Sequence, residues 1–158
     1  MQKKYFFTLR KILLRSLVIF FIIGICFYIY TTQLIGVNEN VKDFYLKLKK
    51  SLKDKGYNDD IYVISGKRLK WHNNLQVWLS SAAKDSKHLK GEAIDIIVLD
   101  INKDGKKDEA DVNIIFTLLD KEIIKDKGGI GTYKNEKGFL NRQMIHFDCR
   151  GYKARWNY

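Results

Sequence analysis

The sequence predicts an α+β domain, a small antiparallel sheet flanked by helices, preceded by one helix that crosses a membrane. Three observations predict it. A long apolar run opens the chain, helical periodicity follows it, and strand-length apolar runs cluster later.

The apolar run comes first. Leu17 to Tyr30 reads LVIFFIIGICFYIY, without a charge. Ser16 and Thr31 to Gly36 extend it to the ~20 residues that span a bilayer. Lys3, Lys4, Arg10, Lys11 and Arg15 precede it and no acid does, which places the N-terminus in the cytoplasm. The expected organisation is a basic cytoplasmic segment (1–15), a transmembrane signal-anchor (16–36) and an extracytoplasmic domain (37–158). A cleaved signal lacks its small-x-small site, and a lipoprotein reading fails because Ile25 precedes Cys26.

In the domain, Val41, Phe44, Tyr45, Leu48 and Leu52 recur at helical spacing, and Gly56 supplies a stop. IYVIS (61–65) reads as a strand ending in a Gly66 turn. Leu69 to Ala83 reads as a helix, with Trp71, Leu75, Trp78 and Leu79 on a common side. The loop DSKHLKGE leads to AIDIIVLD, a strand-length run. A helix is expected over 111–125, then short strands from GGIGTY (128–133) to MIHFDC (144–149), and a basic aromatic tail.

The chain has 158 residues and a net charge of +11, with no proline, so Gly, Asn and Asp must make its turns. Once the five basic residues of the N-terminal segment are set aside, 24 basic face 18 acidic side chains. That surplus suits an anionic partner, or only solubility. Cys26 and Cys149 are poorly placed to pair, so disulfides do not hold the fold.

Asp95 lies in Ala93-Ile-Asp-Ile-Ile-Val-Leu99, apolar on both faces of a strand. An ionised carboxylate there is costly without a cation or several donors. His146, in Met-Ile-His-Phe-Asp-Cys, poses the same question. His88 precedes Asp95 by seven positions across a Gly91 turn, so loop and strand can converge. Two imidazoles and a carboxylate suit zinc with a fourth position for water. Yet a lone buried histidine is more often hydrogen-bonded core, and a lone Asp more often caps a turn or meets an arginine. Spacing alone leaves both readings open.

A resemblance favours the metal. Ser86-Lys-His88-Leu-Lys-Gly91-Glu-Ala93-Ile-Asp95 resembles the SxHxxGxAxD motif of the zinc D-Ala-D-Ala carboxypeptidase family, whose fold is the Hedgehog/DD-peptidase fold. Ser65-Gly-Lys-Arg68 resembles its SGxR turn. Ile145-His146-Phe-Asp148-Cys-Arg150-Gly151 and Ala154-Arg-Trp156 resemble the closing segment of its murein endopeptidase-like branch. The matches run in family order over about residues 60–156.

The resemblance implies a peptidase acting on peptidoglycan peptides, often beside a D-amino acid. It implies zinc on His88, Asp95 and His146, Arg68 holding the substrate carbonyl or carboxylate, and Ser86 contributing to the same pocket. The general base departs from the pattern. Relatives place Glu or Asp three residues before the last histidine, or His two before it, where this chain has Gln143 and Met144. Asp148 is the remaining local candidate, with three readings open: base, carboxylate orienting a ligand histidine, or salt bridge to Arg150 or Arg155. As a base, Asp148→Asn loses hydrolysis and keeps zinc. Glu92 is expected to be solvated.

A second metal is expected at 100–111, DINKDGKKDEAD. Asp100, Asn102, Asp104, Gly105, Asp108 and Asp111 match positions one, three, five, six, nine and twelve of an EF-hand-type calcium loop, with Lys106 offering its carbonyl. The plainer reading is a solvated acidic turn. Functionally, the leading expectation is a membrane-anchored zinc peptidase stabilised by calcium. The alternative is a zinc-containing wall-binding module without catalysis, kept open by Gln143 and Met144. Nucleic-acid binding through the basic tail conflicts with the outside location.

Overall fold

The computed structural model describes residues 2–32, 34–79, 83–135 and 142–157. The chain forms two compact units, residues 1–30 and 31–158. The first is part of a single helix, α1 (Gln2–Thr32). Its apolar stretch Arg10–Tyr30 has 21 residues. At 1.5 Å per residue that is about 31 Å, close to a bilayer's hydrocarbon core. Phe20 and Phe21 point outward. Length and composition thus suit a membrane anchor or a signal sequence equally.

The apolar stretch ends earlier than the expected 16–36. Leu34 to Gly36 form a turn with positive φ at Leu34 and Gly36, and Leu34 packs on the core of the second unit. The fold therefore begins before residue 37.

In the second unit, α2 (Glu39–Asp54) starts where Asn38 accepts the Asn40 N–H at 2.9 Å. Val41, Phe44, Leu48 and Leu52 are its buried stripe, as the periodicity predicts. Then come β1 (Ile61–Ser65), α3 (Lys70–Leu79), a 3₁₀ turn (Lys87–Lys90), β2 (Ala93–Val98) and α4 (Glu109–Leu118), which runs into a π turn. The chain closes with β3 (Gly129–Asn135), β4 (Arg142–Asp148) and β5 (Ala154–Asn157).

The sheet order is β1-β2-β4-β3-β5. It is mixed, not antiparallel throughout, because β5 pairs with β3 in parallel. The short link after β4 crosses the start of β3, held by Gly151 N–H to Lys127 C=O. A strand that hops one neighbour runs antiparallel to β4 and hence parallel to β3.

Strand alternation divides the sheet. Ile61, Val63, Ile94, Ile96, Val98, Ile130, Ile145 and Phe147 join the core with residues of α2 and α4. Each of Asp95, His146 and Gly131 lies on the opposite face, where the register aligns them in a row.

The helix expected over 69–83 is present as α3, but its common side faces outward. Trp71, Leu75 and Trp78 are 58%, 44% and 80% exposed. The buried residue is instead Asn73, which donates to the carbonyls of Ala83 and Lys84. The side chain of Leu79 lies outside the described residues.

Candidate metal centre

Three elements bring the ligands together. Asp95 and His146 are cross-strand partners on β2 and β4, so their side chains leave the sheet side by side. His88 arrives on the 3₁₀ turn, capped by Ser86 in front and left-handed Gly91 behind. A side chain at Gly91 is barred by its φ of 71° and by the Gly36 carbonyl.

His88 Nε2, Asp95 Oδ1 and His146 Nδ1 form a triangle with sides of 3.2, 3.2 and 2.8 Å. Zinc bonds of about 2.0–2.1 Å at tetrahedral angles place ligand atoms about 3.3 Å apart. The side chains are 2%, 7% and 12% exposed respectively, His146 being the most open. Among the described residues this is the one group of three or more His, Cys, Asp or Glu whose ligand atoms converge, and it could bind a metal ion.

The proton inventory makes the case sharper. His88 Nδ1–H donates to the Gly66 carbonyl at 2.7 Å, which orients the ring with Nε2 toward the triangle. His146 Nε2 faces Asp148 Oδ2 at 3.3 Å, which leaves Nδ1 toward the triangle. Asp95 adds a carboxylate oxygen. With each ring carrying its proton on the outer nitrogen, three lone pairs would meet at one point, a donor set that suits a cation. Burial raises the Asp95 pKa, but His88 and His146 outweigh it and hold the carboxyl well below its ordinary range. Burial lowers the His146 pKa, but Asp148 and Asp95 raise it overall. The pocket attracts positive charge.

Arg68 is drawn into the same constellation. Its Nη2 donates to Asp95 Oδ2 at 2.6 Å and its Nε to Ser65 Oγ at 2.9 Å. A register skip between Val63 and Ser65 accompanies the pairing of Ser65 with Asp95. Ser86 is less available than expected, since its hydroxyl accepts the His88 N–H.

Asp148 stands behind His146, on the ring nitrogen away from the triangle. It is fully buried, and Arg150 Nε and Nη2 reach its carboxylate at 2.9 and 2.6 Å. Gly129 and Arg150 backbone N–H groups add two more bonds. Burial raises its pKa, but bonds from His146 and Arg150 bring it far below the ordinary value. So placed, the carboxylate touches both His146 and Arg150, as the orienting and ion-pair readings expect. Gln143 alternates onto the core face with Ile145, away from the triangle. Met144 is on the site face but offers no base. Glu92 pairs with Lys87 at 2.9 Å.

Sequence reasoning missed the wall beside His146. The Trp156 ring lies 5.4 Å from the His146 ring, and the Arg150 guanidinium sits 4.9 Å from the Trp156 ring. That indole occupies the space a Gly131 side chain would need, and Asp148 and Arg150 crowd Gly129 similarly. The alternating glycines of GGIGTY were the available signal, because glycine in a strand often marks a close approach.

The acidic loop forms one turn without gathering its carboxylates. Asp100 accepts from Asp104 and Gly105 N–H, Asn102 from Asp104 N–H, and Asp104 from Lys106 N–H. Asp111 is fully buried and accepts from the N–H groups of Ile101, Asn102 and Asp108. Asp108 and Asp111 make a capping box for α4.

Compared with known proteins, the chain matches no family model, no curated protein and no solved structure.

Proposed function

We propose that the protein is a membrane-anchored zinc peptidase acting on D-amino-acid-containing peptides of bacterial peptidoglycan. The observation that carries it is the convergence of His88 Nε2, Asp95 Oδ1 and His146 Nδ1 while both outer ring nitrogens are held elsewhere. The ordered motifs at 65–68, 86–95 and 145–156 support the peptidase reading. Zinc supplies a Lewis acid that polarises a carbonyl and acidifies bound water. The chain's own part is to fix the ligands: Gly66 and Asp148 hold the rings, and Arg68 holds Asp95. The apolar stretch Arg10–Tyr30, with basic residues before it, supports anchoring with the domain outside.

A second reading is a zinc-holding wall-binding module without catalysis. It is favoured by the commitment of Asp148 to Arg150 and His146, with no fourth acidic or histidine side chain joining the triangle among the described residues. The two readings part on one experiment. The zinc-loaded full chain in detergent is incubated with muropeptides and the products are read by mass spectrometry. New peptide ends, absent for His146→Ala, support the peptidase. Retention on sacculi with no new ends supports the binder and sinks hydrolysis.

Calcium at 100–111 belongs to the same proposal. Its support is the order Asp100, Asn102, Asp104 around a turn that Gly105 completes at φ 81°. The ion would compete with three backbone amides for Asp111. Millimolar calcium raises the melting temperature of the wild type and not of Asp100→Ala/Asp104→Ala; no rise in the wild type removes calcium from the account.

A further inference from the structure

Helix α3 presents an apolar stripe to solvent. Trp71, Leu75 and Trp78 sit at spacings of four and three, one side of a helix, and all are exposed. Leu69, just before the helix, is 43% exposed and adds to the patch. An exposed apolar patch of this kind often marks an interaction site.

The chemistry around the stripe specifies its occupant. Tryptophan is enriched where protein meets the headgroup layer, because its ring is apolar with one polar handle. The leucines between and beside the tryptophans favour hydrocarbon over sugar, which needs flat aromatic platforms and a polar rim. From Ile61 to Lys84 the chain carries no acid and four bases, Lys67, Arg68, Lys70 and Lys84. Arg68 is committed to Asp95, but Lys70, next to Trp71 at the start of α3, is exposed and can meet an anionic headgroup. Chain connectivity supplies proximity. α1 ends at Thr32 and Leu34 already packs on the domain core, so a single residue lies between them.

We propose that the Trp71–Leu75–Trp78 face docks on the anionic surface of the bilayer that α1 spans. The inference rests on the anchored reading of α1. Helix α3 lies in the interfacial layer as an amphipathic element, giving the domain a second membrane contact besides its anchor.

The tryptophan inventory makes a direct test. The chain has three, Trp71, Trp78 and Trp156, and the last belongs to the metal centre. The full chain is reconstituted in vesicles of phosphatidylcholine and phosphatidylglycerol, brominated near the headgroup end of the acyl chains. Docking quenches up to two-thirds of the emission, the share of Trp71 and Trp78 among the three tryptophans. Trp71→Phe/Trp78→Phe, with only Trp156 left, shows no bromine-dependent loss. Both changes are at exposed positions, and circular dichroism checks the fold.

Alkaline carbonate extraction of the same vesicles reports on the anchor separately. Released protein overturns the anchored reading, and quenching on added vesicles still decides whether the face meets lipid. Unquenched emission from an integrally inserted chain overturns the docking proposal alone. So does a Trp71/Trp78-dependent dimer in sedimentation, or an emission change driven by glycan fragments with no quenching by lipid.

Discussion

Arg68 grips the back of Asp95: its Nη2 donates to Oδ2 at 2.6 Å while Oδ1 turns to the two histidines. The carboxylate is thereby split between a partly buried arginine and a metal-ready triangle. Arg68 is fixed in its turn by Ser65 Oγ and by its own N–H to the His88 carbonyl. One residue therefore ties β1, β2 and the 3₁₀ turn together at the site.

The first prediction follows from that split. Arg68→Ala leaves Oδ2 buried without its partner, so Asp95 loses its aim. Zinc affinity falls by about 10–100-fold, the usual cost of losing a group that orients a ligand. Arg68→Lys keeps the charge without the Nε bond to Ser65 and falls between. Competition with a chromogenic chelator measures both; unchanged affinity in the alanine variant would show that Arg68 acts only on substrate.

Asp148 leads to a different expectation from the one its spacing suggested. Asp148→Asn keeps an oxygen for His146 but meets Arg150 as a neutral partner, leaving a half-buried guanidinium poorly compensated. Zinc affinity and stability drop together, whereas loss of a base would spare both. Chelator competition beside a urea melt separates the cases. Full zinc affinity with abolished cleavage would restore Asp148 as the base.

The candidate ligands were legible because of where they sit. A carboxylate in a strand apolar on both faces demands a partner, and the cross-strand register of Asp95 with His146 meets that demand. Geometry beyond pattern was not legible. The periodicity of Trp71, Leu75 and Trp78 marks a helix side but not its direction. Here hydrogen bonds to Asn73 turn the polar side inward. The parallel pairing of β5 depends on which strand a short link crosses, and ARWN is too short to carry that information. Trp156 reaches His146 through the space left free by Gly131, which lies 25 positions before it in sequence.

Gly131 is tested by the smallest possible side chain. Gly131→Ala puts a methyl where the Trp156 indole lies, directly across β4 from His146. Overpacking of this kind costs about 1–3 kcal/mol. The expected result is a lower urea midpoint and a shifted tryptophan emission, with Trp156→Ala partly relieving the alanine variant's clash. Equal midpoints for wild type and Gly131→Ala would mean that the indole has room to move.

The last prediction concerns the domain's closing ion pair. Arg155 Nε donates to Asp120 Oδ1 at 2.7 Å, and its remaining nitrogens reach the carbonyls of Lys125, Gly128 and Ala154. Both side chains are largely buried, at 8% and 17% exposure. Burial raises the Asp120 pKa, but Arg155 first and Lys121 next bring it below the ordinary value. A folded-state pKa below the unfolded one stabilises the fold above the unfolded pKa, about 3.9. That contribution is lost as pH falls through the folded value. Asp120→Asn therefore lowers stability at pH about 7 by roughly 1–3 kcal/mol, as for a buried group left unpaired. The gap from wild type narrows below about pH 4, where Asp120 protonates in the unfolded chain, and closes as pH falls through the lower folded value. Urea melts at both pH values measure it; a gap that persists undiminished in acid would show that Asp120 acts by packing and not by charge.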